Sequence, residues 1–405
     1  MKTKQYIFLT NAYMPKPGAT GVCVHQLAKA LSIQGENVSV ICYGEGKRSN
    51  GVYDGVNTVK IKDPFYIRPY RGNNRLFRFV YRIINILIRL LYYNKYPLRS
   101  TLLVNRFVKA ISEIVSTNSS LTLIASYTPL EGVLAAVKYK KKNKDTEIIY
   151  YSTDTLSNEQ GESGILSAKK RSELGLKWEK YFFDNYDKII IMECHKPHYS
   201  NICYEKWFVK FRFANFPLII KPSIENEREI NVRYKKIVFA GNLYRKMRNP
   251  DYICQLIMSC FNSSQVRLTF IGGGDCINEL ITLCRNSYGV LDYQGFKPYS
   301  EVENALNDAD VLLSIGNSFS SMCPSKIFEY MSTGKPIIHC YTYDFDPCLE
   351  PLSKYGNALL LKEKDESNRE RMLSFIDNLQ NIDFDLVADR FTTSTPQFTA
   401  NIITS

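Results

Sequence analysis

Cys323-Pro324-Ser325-Lys326-Ile327-Phe328-Glu329-Tyr330-Met331-Ser332-Thr333-Gly334-Lys335-Pro336-Ile337-Ile338 is the most informative stretch of this 405-residue chain. It reads as a helix that starts near Ser325 and stops at Gly334, followed by an apolar strand. The helix offers a serine, a lysine and a glutamate. N–H groups at its first turn, with Ser325 and Lys326, suit a phosphate. Glu329, one turn later, can accept two hydroxyl hydrogen bonds from a ribose. A capped structural helix accounts for the same residues without any ligand.

Outward from this stretch, apolar runs alternate with helical patterns. Strands are expected at 236–240, 267–271, 290–293, 311–314 and 336–340, separated by helices such as 252–258 and 325–332. Upstream the same rhythm places strands at 5–10, 38–43, 121–126, 147–151 and 188–192. It pauses over 211–232, where Pro217, Pro222 and a charged run at 225–229 suggest an interdomain connection. The class is therefore α/β, each half being a mostly parallel sheet with helices on both faces. In such sheets ligands bind at the carboxyl ends of strands.

Three more strand ends carry glycine. Phe239-Ala240-Gly241-Asn242-Leu243-Tyr244-Arg245-Lys246-Met247-Arg248-Asn249-Pro250 runs from a strand through three cations to a helix start, an arrangement that suits a diphosphate. Phe270-Ile271-Gly272-Gly273-Gly274-Asp275 is expected to expose backbone N–H groups to a ligand, although tight packing demands glycine too. Near the start, Pro15-Lys16-Pro17-Gly18-Ala19-Thr20-Gly21 precedes a helical pattern but lacks the Gly-x-Gly-x-x-Gly dinucleotide fingerprint.

Composition limits the alternatives. A hydrophobic share of 45% is ample for two cores. The 11 cysteines include no Cys-x-x-Cys pair, so neither a disulfide framework nor a zinc cluster is indicated, and a reducing cytoplasm is expected. Cys194, His195 and His198 form the one local group of metal-ligating type, and no metal is expected there. The start carries only a short apolar run and reads as a buried strand, not as a signal peptide. The net charge of +12 is uneven: 1–210 hold 32 Lys+Arg against 17 Asp+Glu, and 211–405 hold 20 against 23. The basic half suits an anionic surface or substrate, or is solubilising charge. Only net charge points to nucleic acid, with no recognised motif, so none is expected as a partner.

Residues 71–93 stand apart. At ~100° per residue Arg71, Arg75, Arg78, Arg82 and Arg89 fall in a narrow arc, away from Phe79, Ile83, Ile84, Ile86, Leu87 and Leu90. Arginines within the apolar stretch argue against spanning a bilayer, whereas a helix lying at the headgroups would turn Arg75, Arg78, Arg82 and Arg89 toward anionic lipid or the acceptor. An ordinary domain helix with solvated arginines is the alternative.

The strand ending in Gly241, then Arg248, then Pro324-Ser325-Lys326-x-x-Glu329-Tyr330-x-x-x-Gly334-Lys335-Pro336, resembles the retaining GT-B glycosyltransferases that build bacterial surface polysaccharides (glycosyl transferases group 1, family 4 type). The likeness extends over nearly the whole chain. It implies two Rossmann-like domains facing across a cleft: 1–213 for the acceptor, 214–383 for the nucleotide sugar, and a C-terminal helical segment, 384–405, returning to the first. Position by position it implies Arg248 on the donor diphosphate, Glu329 on the ribose, and Gly18 and Gly21 beside the transferred sugar. Two positions depart from the pattern: Asn242 replaces an arginine and Ser321 replaces the first glutamate of a pair. Arg245 or Lys246 is expected to replace the missing cation, and Ser325 and Lys326 are common in a subgroup that also lacks the first glutamate. A first-domain histidine is absent from 150–154, leaving Asp154 as the nearest polar catalytic candidate.

What the resemblance implies is transfer of a hexose-type sugar, with retention, from a nucleotide diphosphate sugar to a lipid-linked or polysaccharide acceptor at the inner membrane face. Gly272 and Gly273 would join Gly18, Gly21, Arg245, Lys246, Arg248, Ser325, Lys326 and Glu329 around the donor. The donor is a substrate, and neither metal nor other cofactor is expected. The rivals are an epimerase or hydrolase of the same fold, or a degenerate subunit that supports a partner enzyme.

Overall fold

The computed structural model describes residues 3–15, 17–44, 48–67, 75–116, 119–158, 166–222, 234–317 and 324–405. Its central strands are buried along their whole length, which marks parallel sheets covered on both faces. In the first unit β1 (Thr3–Leu9), β2 (Asn37–Gly44), β3 (Ser49–Tyr53), β4 (Val56–Lys62), β5 (Ser119–Ser126), β6 (Glu147–Ser152), β7 (Lys188–Met192) and β8 (Phe211–Ala214) pair in the order β3-β4-β2-β1-β5-β6-β7-β8. All pairs are parallel except the β3–β4 hairpin.

The second unit holds β9 (Lys235–Ala240), β10 (Val266–Ile271), β11 (Leu291–Gly295), β12 (Val311–Ile315), β13 (Ile337–Tyr341) and β14 (Ala358–Lys362). Their order, β11-β10-β9-β12-β13-β14, is all parallel and is that of a Rossmann sheet. The order reverses between β9 and β12, so the loops leaving those two strands flank a crevice.

The chain divides into Met1–Pro217 with Pro396–Ser405, and Leu218–Thr395. Two expected boundaries shift. Phe211–Ala214 is no linker but strand β8, in register with β7 through Ile189 and Phe211, so the connection begins after it. The return to the first unit begins at Pro396 instead of residue 384, because the helix Phe384–Arg390 packs on the helices Lys326–Ser332 and Leu349–Tyr355 of the second unit. The final helix, Pro396–Thr404, packs on Ala19–Ile33 and β8, with Lys188 Nζ donating to the Ile402 carbonyl at 2.7 Å.

Each unit has its own core. In the first, Phe183 meets the rings of Tyr199, Tyr204, Trp207 and Phe211 with centroids 5.2 to 5.9 Å away; truncating such a ring costs about 3–5 kcal/mol. In the second, Phe239, Phe270, Leu313 and Ile338 line the sheet. Among the described residues no helix is long and apolar enough to cross a membrane.

Candidate functional site

The loops after β9 and β10 extend the sheet ladder past the strands. The Gly241 N–H donates to Ile271 O at 2.9 Å, Leu243 N–H to Gly273 O at 2.8 Å, and Asp275 N–H to Leu243 O at 3.0 Å. Gly272 and Gly274 have φ of +144° and +134°, and a Cβ on either would overlap the carbonyl oxygen of Gly241 or Leu243. Contact of chain with chain therefore requires these glycines. The Gly272 N–H is taken by Gly295 O at 2.9 Å, and that of Gly273 reaches Asn242 Oδ1 at 3.3 Å. This corrects the expectation that Gly272 and Gly273 turn N–H groups to a ligand: both are used within the fold, and Asn242 has a partner of its own.

Arg248 is set by a tight turn in which it bridges back to Tyr244, with Met247 N–H donating to Tyr244 O at 3.0 Å and Arg248 N–H to the same oxygen at 2.6 Å. Its half-buried guanidinium donates from Nη2 to Asn317 Oδ1, in the loop after β12, at 2.7 Å. Nη1 lies 3.5 Å from Asn242 O, and Nε is buried without a hydrogen-bond partner. Burial lowers its pKa, partly opposed by Tyr330, Cys348, Tyr244 and Asp346; guanidinium remains a cation even so. Among the described residues no carboxylate is ion-paired with it. The second unit thus holds a positive charge at its switch point on neutral partners.

The other cations of this loop are placed differently. Arg245 is exposed and ion-paired with Glu279, while its N–H donates to Asp275 Oδ1 at 2.7 Å. Without a ligand it is engaged there. Lys246 is exposed.

The helix Lys326–Ser332 is fixed to the end of β9 through Tyr330, whose buried hydroxyl accepts from Ala240 N–H at 2.9 Å. Lys326 Nζ and Glu329 Oε2 pair at 2.8 Å, and Tyr299 OH donates to Glu329 Oε1 at 3.5 Å. Ser325 occupies the N-cap position in helical conformation, and its side chain makes no cap hydrogen bond. Ser321 lies outside the described residues.

In the first unit Gly18 is the N-cap of Ala19–Ile33, with open space around it. Gly21 is buried, and a Cβ there would overlap Ala12 O, so packing of the loop after β1 explains it without a sugar. Asp154, after β6, accepts from Thr155 N–H at 2.8 Å and lies 3.8 Å from Nε2 of buried His195, after β7. Cys194, His195 and His198 do not converge: Cys194 is exposed and His198 Nε2 lies 2.8 Å from Ser157 Oγ.

Against this geometry stand the comparisons with known proteins. Residues 234–372, which lie within the second unit, match the family described as Glycosyl transferases group 1. The second unit thus carries a group 1 glycosyltransferase domain, and the chain is a glycosyltransferase. No curated protein matches it with significant sequence similarity. Among solved structures it is similar to sucrose-phosphate synthase from Thermosynechococcus elongatus, at 14% identity and a TM-score of 0.57 over 99% of this chain and 94% of that one. It is also similar to WaaG, a glycosyltransferase involved in lipopolysaccharide biosynthesis (12%, 0.55, 99% and 100%). A third is S. aureus TarM, solved with fondaparinux, α-GlcNAc-glycerol and UDP (10%, 0.55, 99% and 98%). These likenesses show the fold, which is GT-B.

Sequence reasoning passed over two features of this glycosyltransferase. Asn317 lies 69 residues from Arg248 and in no motif; only strand order reveals the pairing. His195 meets Asp154 for the same reason, as neighbours at the ends of adjacent parallel strands. The helix Arg75–Leu91, by contrast, forms as expected. Tyr81, Ile84, Asn85 and Ile88 are partly covered, whereas Phe79, Ile83, Ile86, Leu87 and Leu90 are exposed alongside exposed Arg78, Arg82 and Arg89. Arg71 and the side chain of Arg75 lie outside the described residues.

Proposed function

We propose that this glycosyltransferase transfers a hexose-type sugar from a nucleoside diphosphate donor, with retention, to a lipid-linked or polysaccharide acceptor in surface polysaccharide synthesis. The observation that carries the reading is Arg248, a half-buried cation at the switch point of the second sheet whose hydrogen-bond partners are neutral. A diphosphate supplies the missing charge. It would also draw Lys326 from its pair with Glu329, leaving that carboxylate to accept from the ribose hydroxyls.

As the glycosidic bond to the diphosphate breaks, negative charge grows on the leaving oxygens, and Arg248 and Lys326 stabilise it where it develops. The leaving diphosphate takes the acceptor proton in this reading, so positioning carries much of the rate. Asp154 and His195 line the acceptor side. Arg245, Lys246 and the glycine loops shape the surroundings, and the donor needs no separate cofactor. TarM, the relative of like fold, was solved with UDP. The exposed basic and apolar helix Arg75–Leu91 supports work at the inner face of the plasma membrane, from the cytoplasm, on an acceptor held in an anionic bilayer.

The reading is tested by calorimetry of the purified protein against uridine, guanosine and adenosine diphosphates and their sugar forms, with Arg248→Ala and Glu329→Ala as controls. Saturable binding of one nucleotide family, weakened by both substitutions, is expected. Transfer assays then follow, with proton NMR of the new anomeric centre reporting retention. Failure of the folded protein to bind any of them favours the degenerate subunit, and turnover without acceptor favours an epimerase or hydrolase.

A further inference from the structure

One buried group in the second unit is not among the donor-binding residues above, although two of its members, Asp346 and Cys348, act on Arg248 through charge. His339 on β13, with Asp346 and Cys348 in the segment that follows, brings a ring nitrogen, a carboxylate oxygen and a sulfur within 4.8 Å of one another. All three residues are buried, His339 and Cys348 completely. The ring of His339 is oriented from its far side, where Nδ1 lies 3.0 Å from Ser314 Oγ on β12. Either ring nitrogen can carry the proton; in the tautomer that a metal requires, Nδ1–H donates to the serine and the Nε2 lone pair turns to the space shared with Asp346 Oδ2, 3.5 Å away.

That separation is long for a hydrogen bond, and the buried His339–Asp346 pair is joined by the Cys348 side chain, which also interacts with the carboxylate. A buried acid–base pair held at this distance is only weakly satisfied. Asp346 is held in place: its Oδ1 accepts from Cys348 N–H at 2.8 Å, and its Oδ2 occupies space that any Cβ on Gly316 would overlap.

We infer that His339, Asp346 and Cys348 bind a divalent cation of the zinc type. Imidazole, carboxylate and thiolate together form the borderline-soft donor set that zinc takes. Zinc bonds of about 2.0–2.3 Å place tetrahedral ligand atoms roughly 3.3–3.7 Å apart, and the Nε2–Oδ2 separation lies in that range. On binding, the Cys348 S–H bond breaks, its proton leaves to solvent and a sulfur–metal bond forms, with no change of oxidation state. The two positive charges are then matched by one thiolate and one carboxylate beside a neutral imidazole, so no net charge is buried. Three protein ligands leave a fourth position for water. The ion fastens the segment after β13 to Gly316, next to the Asn317 that holds Arg248. Its role is to position that loop, independently of the donor chemistry proposed above.

The test uses the full chain, prepared without a metal-affinity tag. Metal content is measured as purified, and zinc or cobalt(II) is titrated after chelation. Expected are one equivalent per chain, a zinc-dependent rise in Tm, and a thiolate-to-cobalt charge-transfer band. Cys348→Ser abolishes the band and weakens zinc at least about a hundredfold, while Ser314→Ala, which frees the ring, weakens it about 10- to 100-fold. Cys340→Ser, at a buried thiol outside the group, leaves both unchanged. If folded wild-type protein shows neither stoichiometric metal nor the band, the inference fails and a proton closes the gap. It fails equally if the band survives in Cys348→Ser and is lost in Cys194→Ser or Cys203→Ser, whose thiols are exposed. Should Cys348→Ser not fold by circular dichroism, Asp346→Asn takes its place: loss of the stoichiometric metal in that variant assigns the ion to this group, and retention of both metal and band overturns the inference.

Discussion

Arg248 donates to Asn317 Oδ1 at 2.7 Å and thereby ties the loop after β9 to the loop after β12, at the point where the second sheet reverses its strand order. The amide orients the guanidinium without neutralising it. Arg248→Ala is expected to weaken the bound nucleoside diphosphate by about 10- to 100-fold, the worth of charged hydrogen bonds. Arg248→Lys recovers only part, because a point charge replaces a planar fork. Asn317→Ala leaves the charge and loses its orientation, so kcat falls more than KM rises. Calorimetry and steady-state kinetics on the four proteins check this. Equal affinities in wild type and Arg248→Ala would remove the arginine from the donor site.

Gly274 and Gly273 are adjacent, yet their substitution is expected to differ sharply. At Gly274 alanine would hold φ near +134° and overlap Leu243 O, whereas at Gly273 the nearest neighbour of a Cβ is Asn242 Oδ1 at 3.5 Å, an ordinary contact. Gly274→Ala should cost about 1–3 kcal/mol or more, and Gly273→Ala little. Thermal melts of both variants decide. Similar Tm values would show that the loop relaxes freely.

Parallel strands and their glycine exits can be read from sequence because burial on both faces leaves apolar runs such as 189–192 in β7. The β3–β4 hairpin escaped although its Asp54-Gly55 turn, with φ of +47° and +79°, is a strong local signal; its flanking strands alternate polar and apolar residues and resemble loop. The short β8 was hidden by the prolines and charges that follow it. Arg248, Lys326 and Glu329 could be named from local pattern. Asn317, His195 and the group around His339 could not, since each is assembled by strand order across distant positions.

Acid stability follows from two histidines. Burial lowers the pKa of His25, with Asp54 pulling it partly back, and burial likewise lowers that of His198, opposed by Glu179. Both therefore take up a proton at lower pH in the fold than in the unfolded chain, where they titrate at about 6.5. Below that pH the unfolded state binds more protons, so stability is present above it and is lost as pH falls through it. Tm measured from about pH 8 to about pH 5 should drop before the carboxylates titrate near about 4. Substituting His25→Gln and His198→Gln together should flatten the curve in that window. A wild-type Tm that stays level on acidification to about 5 would contradict the assignment.

The helix Arg75–Leu91 divides into three sectors at ~100° per residue. Tyr81, Ile84, Asn85 and Ile88 turn toward the protein, Arg78, Arg82 and Arg89 lie to one side, and Phe79, Ile83, Ile86, Leu87 and Leu90 occupy the rest. Phe79 and Leu90 are 62% and 51% exposed, an apolar face that solvent does not favour and that abuts the basic sector. A bilayer surface satisfies both at once: acyl chains take the apolar side chains and anionic headgroups the arginines. Each arginine near such a surface contributes about 1 kcal/mol, so Arg78→Gln, Arg82→Gln and Arg89→Gln together should weaken binding to anionic vesicles roughly a hundredfold. Leu87→Ser with Leu90→Ser should weaken binding to every vesicle type and leave the salt dependence intact, since screening acts on the charges alone. Cosedimentation with vesicles of phosphatidylglycerol and of phosphatidylcholine separates the two contributions. Equal binding to both lipids, or unchanged binding by the triple variant, would show that the helix meets a partner other than an anionic membrane.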